Sequence, residues 1–139
     1  MPPEPVFKMR VTRGSPLDMF GRMTAAATHD MTPSPNPSEG YLLKQEDIDS
    51  ISVSAYVDDG VQIGSTQTPD VASVIYDTLQ ASAIWGSVAS SGGGNIRYQA
   101  PASFFDTDNQ TVRVVVRATL TDTSYAYWLS DVAVQQTTK

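Results

Sequence analysis

The chain has 139 residues, 15.0 kDa in mass, which fits one domain of ordinary size; surface-to-volume scaling lets a chain of this length bury about 68% of its unfolded surface. It contains no cysteine and one histidine, His29, so disulfides, thiolate zinc sites, cysteine nucleophiles and histidine metal clusters are excluded. The net charge of −6 argues against binding a phosphate backbone. No apolar run is long enough to span a membrane, and Met1-Pro2-Pro3-Glu4-Pro5 lacks the layout of a signal peptide, so a soluble, unprocessed protein is expected. Charged residues are only 17% of the chain, and Ser and Thr supply the polar surface, an economy common in β-rich domains.

In chain order, the composition shifts near Gly40. All five Met and seven of nine Pro lie before it, and the excess of acid lies after it. The expected organisation is an extended arm and linker over residues 1–39 and a β domain over 40–139. Pro33-Ser34-Pro35-Asn36-Pro37 removes three backbone donors and disfavours helix, which reads as a semi-rigid linker. Upstream, Val6 to Val11 alternates weakly as a short strand, and Leu17 to Met23 suits one or two helical turns. Val6, Phe7, Met9, Leu17, Met19, Phe20 and Met23 have too few local partners to make a core. They can pack back on the body, stay loose as a tail, or bury on another subunit; their apolar content favours docking, and they are assigned as the arm's contacts.

The second region has the period of a β protein. Ile51, Val53, Ala55 and Val57 alternate with polar residues, and Asp58-Asp59-Gly60 supplies turn chemistry before Val61-Gln62-Ile63. Val71 to Leu79 is read as a short strand, because Val74-Ile75-Tyr76 is β-branched and aromatic. Ser90-Ser91-Gly92-Gly93-Gly94 is expected to be a mobile loop entering a strand at Asn95. It is not a phosphate loop, since the Gly-Lys-Ser/Thr and the following helix are missing. Val112 to Leu120 and Tyr125 to Val134 alternate cleanly around Asp122-Thr123-Ser124 and predict a long antiparallel hairpin. The fold class expected is all-β, an immunoglobulin-like antiparallel β-sandwich with an extended N-terminal arm; a small barrel is the alternative.

Candidate chemistry is sparse. Asp106-Thr107-Asp108 begins like a calcium loop, but Thr111 and Arg117 stand where glycine and glutamate are required. Asp58 and Asp59 read as turn formers, and Glu46, Asp47 and Asp49 as a solvated strand entry rather than an acid–base pair. His29 has no serine–acid pattern around it. No catalytic, cofactor or metal residue is assigned. Arg113, Arg117, Tyr125 and Tyr127 are residue types enriched at interface centres and form the candidate contact surface of the body. Trp85 and Trp128 either fill the inter-sheet core or join that surface.

From Tyr41 to Val134 the sequence resembles small immunoglobulin-like structural proteins of tailed-bacteriophage virions. The residues that carry this are Leu43-Lys44-Gln45-Glu46-Asp47-Ile48, Val74-Ile75-Tyr76-Asp77 with Leu79, Trp85, Asn95-Ile96-Arg97-Tyr98, Pro101-Ala102-Ser103-Phe104-Phe105 and Thr111-Val112-Arg113-Val114. The resemblance implies a non-enzymatic capsid cement or decoration protein, made in the host cytoplasm and placed on the outer shell. Its partners would be the major capsid protein and sister copies of itself, with no nucleic acid and no membrane involved. A neck or tail adaptor is the alternative within that class, and a carbohydrate- or host-surface-binding module the alternative outside it.

Overall fold

The computed structural model describes residues 6–25, 32–33, 40–57, 60–90, 92–107 and 110–135, with the backbone alone at 6–8, 32–33 and 87. The strands are β1 (Val6–Thr12), β2 (Leu17–Gly21), β3 (Thr24–Ala25), β4 (Thr32–Pro33), β5 (Tyr41–Leu42), β6 (Ile48–Tyr56), β7 (Gln62–Gln67), β8 (Ile75–Gln80), β9 (Gly94–Ala100), β10 (Thr111–Leu120) and β11 (Tyr125–Gln135). One helical turn, α1 (Val71–Val74), leads into β8, and another, α2 (Ser87–Ser90), lies in the β8–β9 connection.

Two larger sheets form, one of five strands in the order β1-β11-β10-β6-β7 and one of three in the order β2-β9-β8; β3-β5-β4 make a small third sheet. Period-two alternation dictates the inner faces. In β10, Val112, Val114, Val116 and Ala118 are buried, and they register with Ala55, Val53 and Ile51 of β6 and with Val132, Ser130, Trp128 and Ala126 of β11. From the other sheet, Met19 of β2 and Ile96, Tyr98 and Ala100 of β9 join the same apolar cluster, closed by Phe104 and Phe105. Each Val, Ile, Met or Phe side chain among them contributes about 1.5–3 kcal/mol when fully buried. The fold is therefore an all-β sandwich around one core.

The expected division at residue 40 is corrected over the described residues. Val6–Thr12 adds to β11 as a parallel edge strand, and Leu17–Gly21 pairs antiparallel with β9. Residues 17–21 are a strand, not a helical turn, because Leu17, Met19 and Gly21 face inward while Asp18 and Phe20 face out. Met19 and Met23 are fully buried, Met9 and Leu17 pack on the core, and Phe20 packs on Trp85. These residues find their partners within the chain, so they are not free contacts of an arm. The side chains of Val6 and Phe7 lie outside the described residues, as do His29 and residues 34–39 of the expected linker.

Val71–Leu79 is also corrected: its first four residues form α1, and the strand begins at Ile75. Two of the three glycines adopt conformations only glycine takes easily, with φ of +113° at Gly92 and +101° at Gly93. Gly94 then enters β9 so close to Trp85 that a Cβ there would lie 2.9 Å from the indole Cε3.

Candidate interaction face

Residues of β10 and β11 that turn away from the core build the outer face of the five-stranded sheet. Along β10 these are Thr111, Arg113, Val115, Arg117 and Thr119; opposite them in register stand Ala133, Asp131, Leu129, Tyr127 and Tyr125. Ser52, Ser54 and Tyr56 of β6 continue the rows beyond Arg117, Val115 and Arg113. The four residues assigned to the body's contact surface are thus brought onto one face, as the alternation requires.

Their environments differ. Arg113 makes a forked pair with Asp131, Nε to Oδ1 at 2.8 Å and Nη2 to Oδ2 at 3.0 Å. That hydrogen bond, and then the charge of Asp131, hold the guanidinium pKa above its ordinary value. The pair is solvent-exposed, so it is worth at most about 1 kcal/mol. Arg117 instead lies over the ring of Tyr125, with Cζ 4.8 Å from the centroid. This diagonal contact between neighbouring strands is favourable by roughly 0.5–1 kcal/mol. Tyr125 and Tyr127 have centroids 6.5 Å apart and are 54% and 42% exposed, large apolar area left in water. Val115 and Leu129, half-buried between the two arginine rows, complete a mixed apolar and cationic surface.

A second aromatic group, not anticipated from the sequence, covers the outer side of the three-stranded sheet. Trp85 is buried yet stands outside the inter-sheet core, edge-on to Phe20 and to Tyr76, both at 5.1 Å. Arg97 sits 5.2 Å over Phe20 and 3.7 Å from Asp18. Trp128, by contrast, belongs to the inter-sheet core against Gly21. The signal for Trp85 lay in Phe20 at an outward position of β2 and in Gly94, whose missing side chain leaves room for the indole.

The acidic positions have structural uses. Asp47 Oδ2 accepts the Lys44 amide at 2.9 Å, and Asp77 Oδ1 accepts the Gln45 amide at 2.8 Å, fixing the turn before β6. Glu46, Asp49 and Asp106 are exposed, while Asp58, Asp59 and Asp108 lie outside the described residues. Among the described residues no three His, Cys, Asp or Glu side chains come together as a metal site, and no helix is long and apolar enough to cross a membrane.

Three connections meet at one end of the sandwich. The Arg22 Nε donates to the Gly93 carbonyl at 2.8 Å, joining the β2–β6 connection to the β8–β9 one, and the Thr121 amide donates to the Asp47 carbonyl at 3.1 Å, joining it to the β10–β11 turn. No protein family, curated protein or solved structure matches this chain.

Proposed function

We propose that this protein is a non-enzymatic structural component of a tailed-phage virion, a decoration protein that binds the outer capsid surface and bridges neighbouring capsomers. Its contact with the major capsid protein is made by the outer face of the five-stranded sheet and not by an N-terminal arm. The observation that carries this reading is the exposed pair Tyr125 and Tyr127 beside Arg117 on a broad, rigid β surface. Tyr and Arg are the side chains that dominate binding energy at interface centres. Two edge strands, β1 and β7, flank the face and give sister copies a place to abut.

The strand order supports the immunoglobulin-like assignment within the sandwich class. With the short β3, β4 and β5 set aside, β2-β9-β8 opposes β11-β10-β6-β7, and β1 runs parallel to β11 at the edge. Such an order is compatible with the Greek-key arrangement of an immunoglobulin-like sandwich, which supports that reading.

Co-sedimentation with shells assembled from a tailed-phage major capsid protein of the same source tests the proposal. Saturable binding at hundreds of copies per shell, lost in a Tyr125→Ala/Tyr127→Ala variant that keeps its β circular dichroism, is the expected result. Binding at about a dozen copies per particle would favour a neck or tail adaptor, since ring symmetry sets that number. The exposed tyrosines also suit stacking on a sugar ring, and retention of the isolated protein on a glycan array without shell binding would favour the carbohydrate-binding reading.

A further inference from the structure

We infer that Arg117 is the specificity-determining group of the outer face and reads a carboxylate presented by an acidic protein surface; this rests on the sheet-face docking proposed above. The two arginines of β10 are four residues apart and point the same way, yet only one has its fork filled. Arg113 spends Nε and Nη2 on Asp131. Arg117 makes no ion pair among the described residues, and its guanidinium rests on Tyr125. A cation–π contact engages the face of the guanidinium and not its N–H donors, the residue is exposed, and a planar fork matches a carboxylate bidentately.

Charge complementarity fixes the sign of the partner. The chain carries fifteen acids against nine bases, but the described outward residues of the five-stranded sheet carry Arg10, Arg113 and Arg117 against Asp131 and, at the β6 bulge, Asp49. With Arg113 neutralised by Asp131, Arg117 is a cationic point on an otherwise acidic chain, which attracts a carboxylate at short range and repels a basic group. Tyr127, directly opposite Arg117 in register, and the half-buried Val115 and Leu129 one row away supply apolar contact around the ion pair. Such a rim partly excludes water and strengthens the charge-assisted bond at its centre.

Poly-L-glutamate is the probe, followed by 1H–15N and aromatic 1H–13C NMR of the full chain, with poly-L-lysine as the opposite-sign control. The expected result is a shift of the Arg117 Nε–H and of the Tyr125 and Tyr127 ring signals with polyglutamate only. Affinity should fall roughly tenfold or more in Arg117→Gln, fall less in Arg117→Lys, and change little in Arg113→Gln. Equal losses in Arg113→Gln and Arg117→Gln would overturn the inference by showing a general field in place of a site. Shell co-sedimentation of Arg117→Gln separates the two readings. Normal, salt-insensitive shell binding by this variant sinks the carboxylate role and leaves the decoration role standing; polyglutamate binding at Arg117 with no shell binding by the parent does the reverse. Self-association that Arg117→Gln abolishes, seen by sedimentation, would make a second copy the occupant and overturn the assignment to a foreign surface.

Discussion

Asn95 grips the backbone of Met23 from both sides: its Oδ1 accepts the Met23 amide at 2.6 Å and its Nδ2 donates to the Met23 carbonyl at 3.0 Å. The same Nδ2 donates to the Leu43 carbonyl at 2.8 Å, and the Leu43 amide donates to the Met23 carbonyl at 3.1 Å. One buried amide therefore closes the base of the whole connection from residue 23 to residue 43. Asn is suited to this because it offers an acceptor and two donors on one short side chain.

Replacing Asn95 with Ala leaves a buried amide and a buried carbonyl without their partner, at a cost of about 1–3 kcal/mol each before relaxation. A loss of about 2–4 kcal/mol is expected, read as a fall in the urea midpoint at unchanged slope. Asn95→Asp should be at least as costly, because a carboxylate cannot donate to either carbonyl and would be buried with its charge. A midpoint within experimental scatter of the parent would show that the clasp carries no stability.

Removal of residues 1–25 is expected to abolish the folded state. It takes away β1 and β2, strips one side of β9 and of β11, and removes Met19 and Met23 from the core. Two fully buried methionines alone are worth about 2–5 kcal/mol each as large-to-small losses, against a total stability of about 5–15 kcal/mol. Circular dichroism and NMR dispersion of the truncated chain provide the check. A cooperative β domain surviving the deletion would restore the separable arm expected from composition.

What could be read from the sequence was decided by period. β6 and β10 announce themselves because inward Val, Ile and Ala alternate with mostly polar residues over seven positions or more, and β11 by its aromatic and β-branched residues after the turn at Asp122-Thr123-Ser124. β2 was hidden: of its three inward residues one is Gly21, which carries no apolar signal, while Phe20 on the outward side imitates a helical stripe. Its burial is explained only by Trp128, more than a hundred residues away, which occupies the space a side chain at Gly21 would need. The clustering of Met and Pro before Gly40 suggested a boundary, but composition does not say where a strand pairs; β1 joins the sheet through β11, the last strand of the chain. Period alone does not place Tyr125 and Tyr127, since on β11 the apolar set of residues 125, 127 and 129 is the outward one, but on β10 the outer face was legible for the same reason as the hairpin: the alternation that buries the valines must expose Arg113 and Arg117. The use of Arg113 by Asp131 was not, because it depends on cross-strand register.

Gly21→Ala tests the contact between the sheets. A Cβ at this position would lie 2.6 Å from Trp128 Cε2 and 2.8 Å from Nε1, a clash with a ring held in the core and not with a flexible chain end. Overpacking of this kind costs about 1–3 kcal/mol. Thermal unfolding should show it directly, together with a changed near-ultraviolet circular dichroism signal from the displaced indole. An unshifted transition would mean that the sheets separate at no cost, contrary to a close-packed interior.

Asp122 sets the acid sensitivity of the β10–β11 turn, next to the tyrosine face. Its carboxylate accepts from the Ser124 hydroxyl and from the Ser124 amide, and these bonds, the hydroxyl first, hold its pKa below the ordinary value of 3.8. The folded pKa is depressed, so the ionised form is the one that favours folding. Its contribution is fully present above pH 3.8 and is lost as the pH falls through the folded value. The group is fully exposed, so the effect is local: the turn should loosen in acid before the sheet does. Amide exchange at Ser124 and Tyr125, followed from pH 6 down to about pH 2, is expected to accelerate beyond the intrinsic pH dependence in the parent and not in Asp122→Ala, where the turn is already loosened. If parent and variant trace the same curve, the hydrogen bonds to Ser124 do not hold the turn.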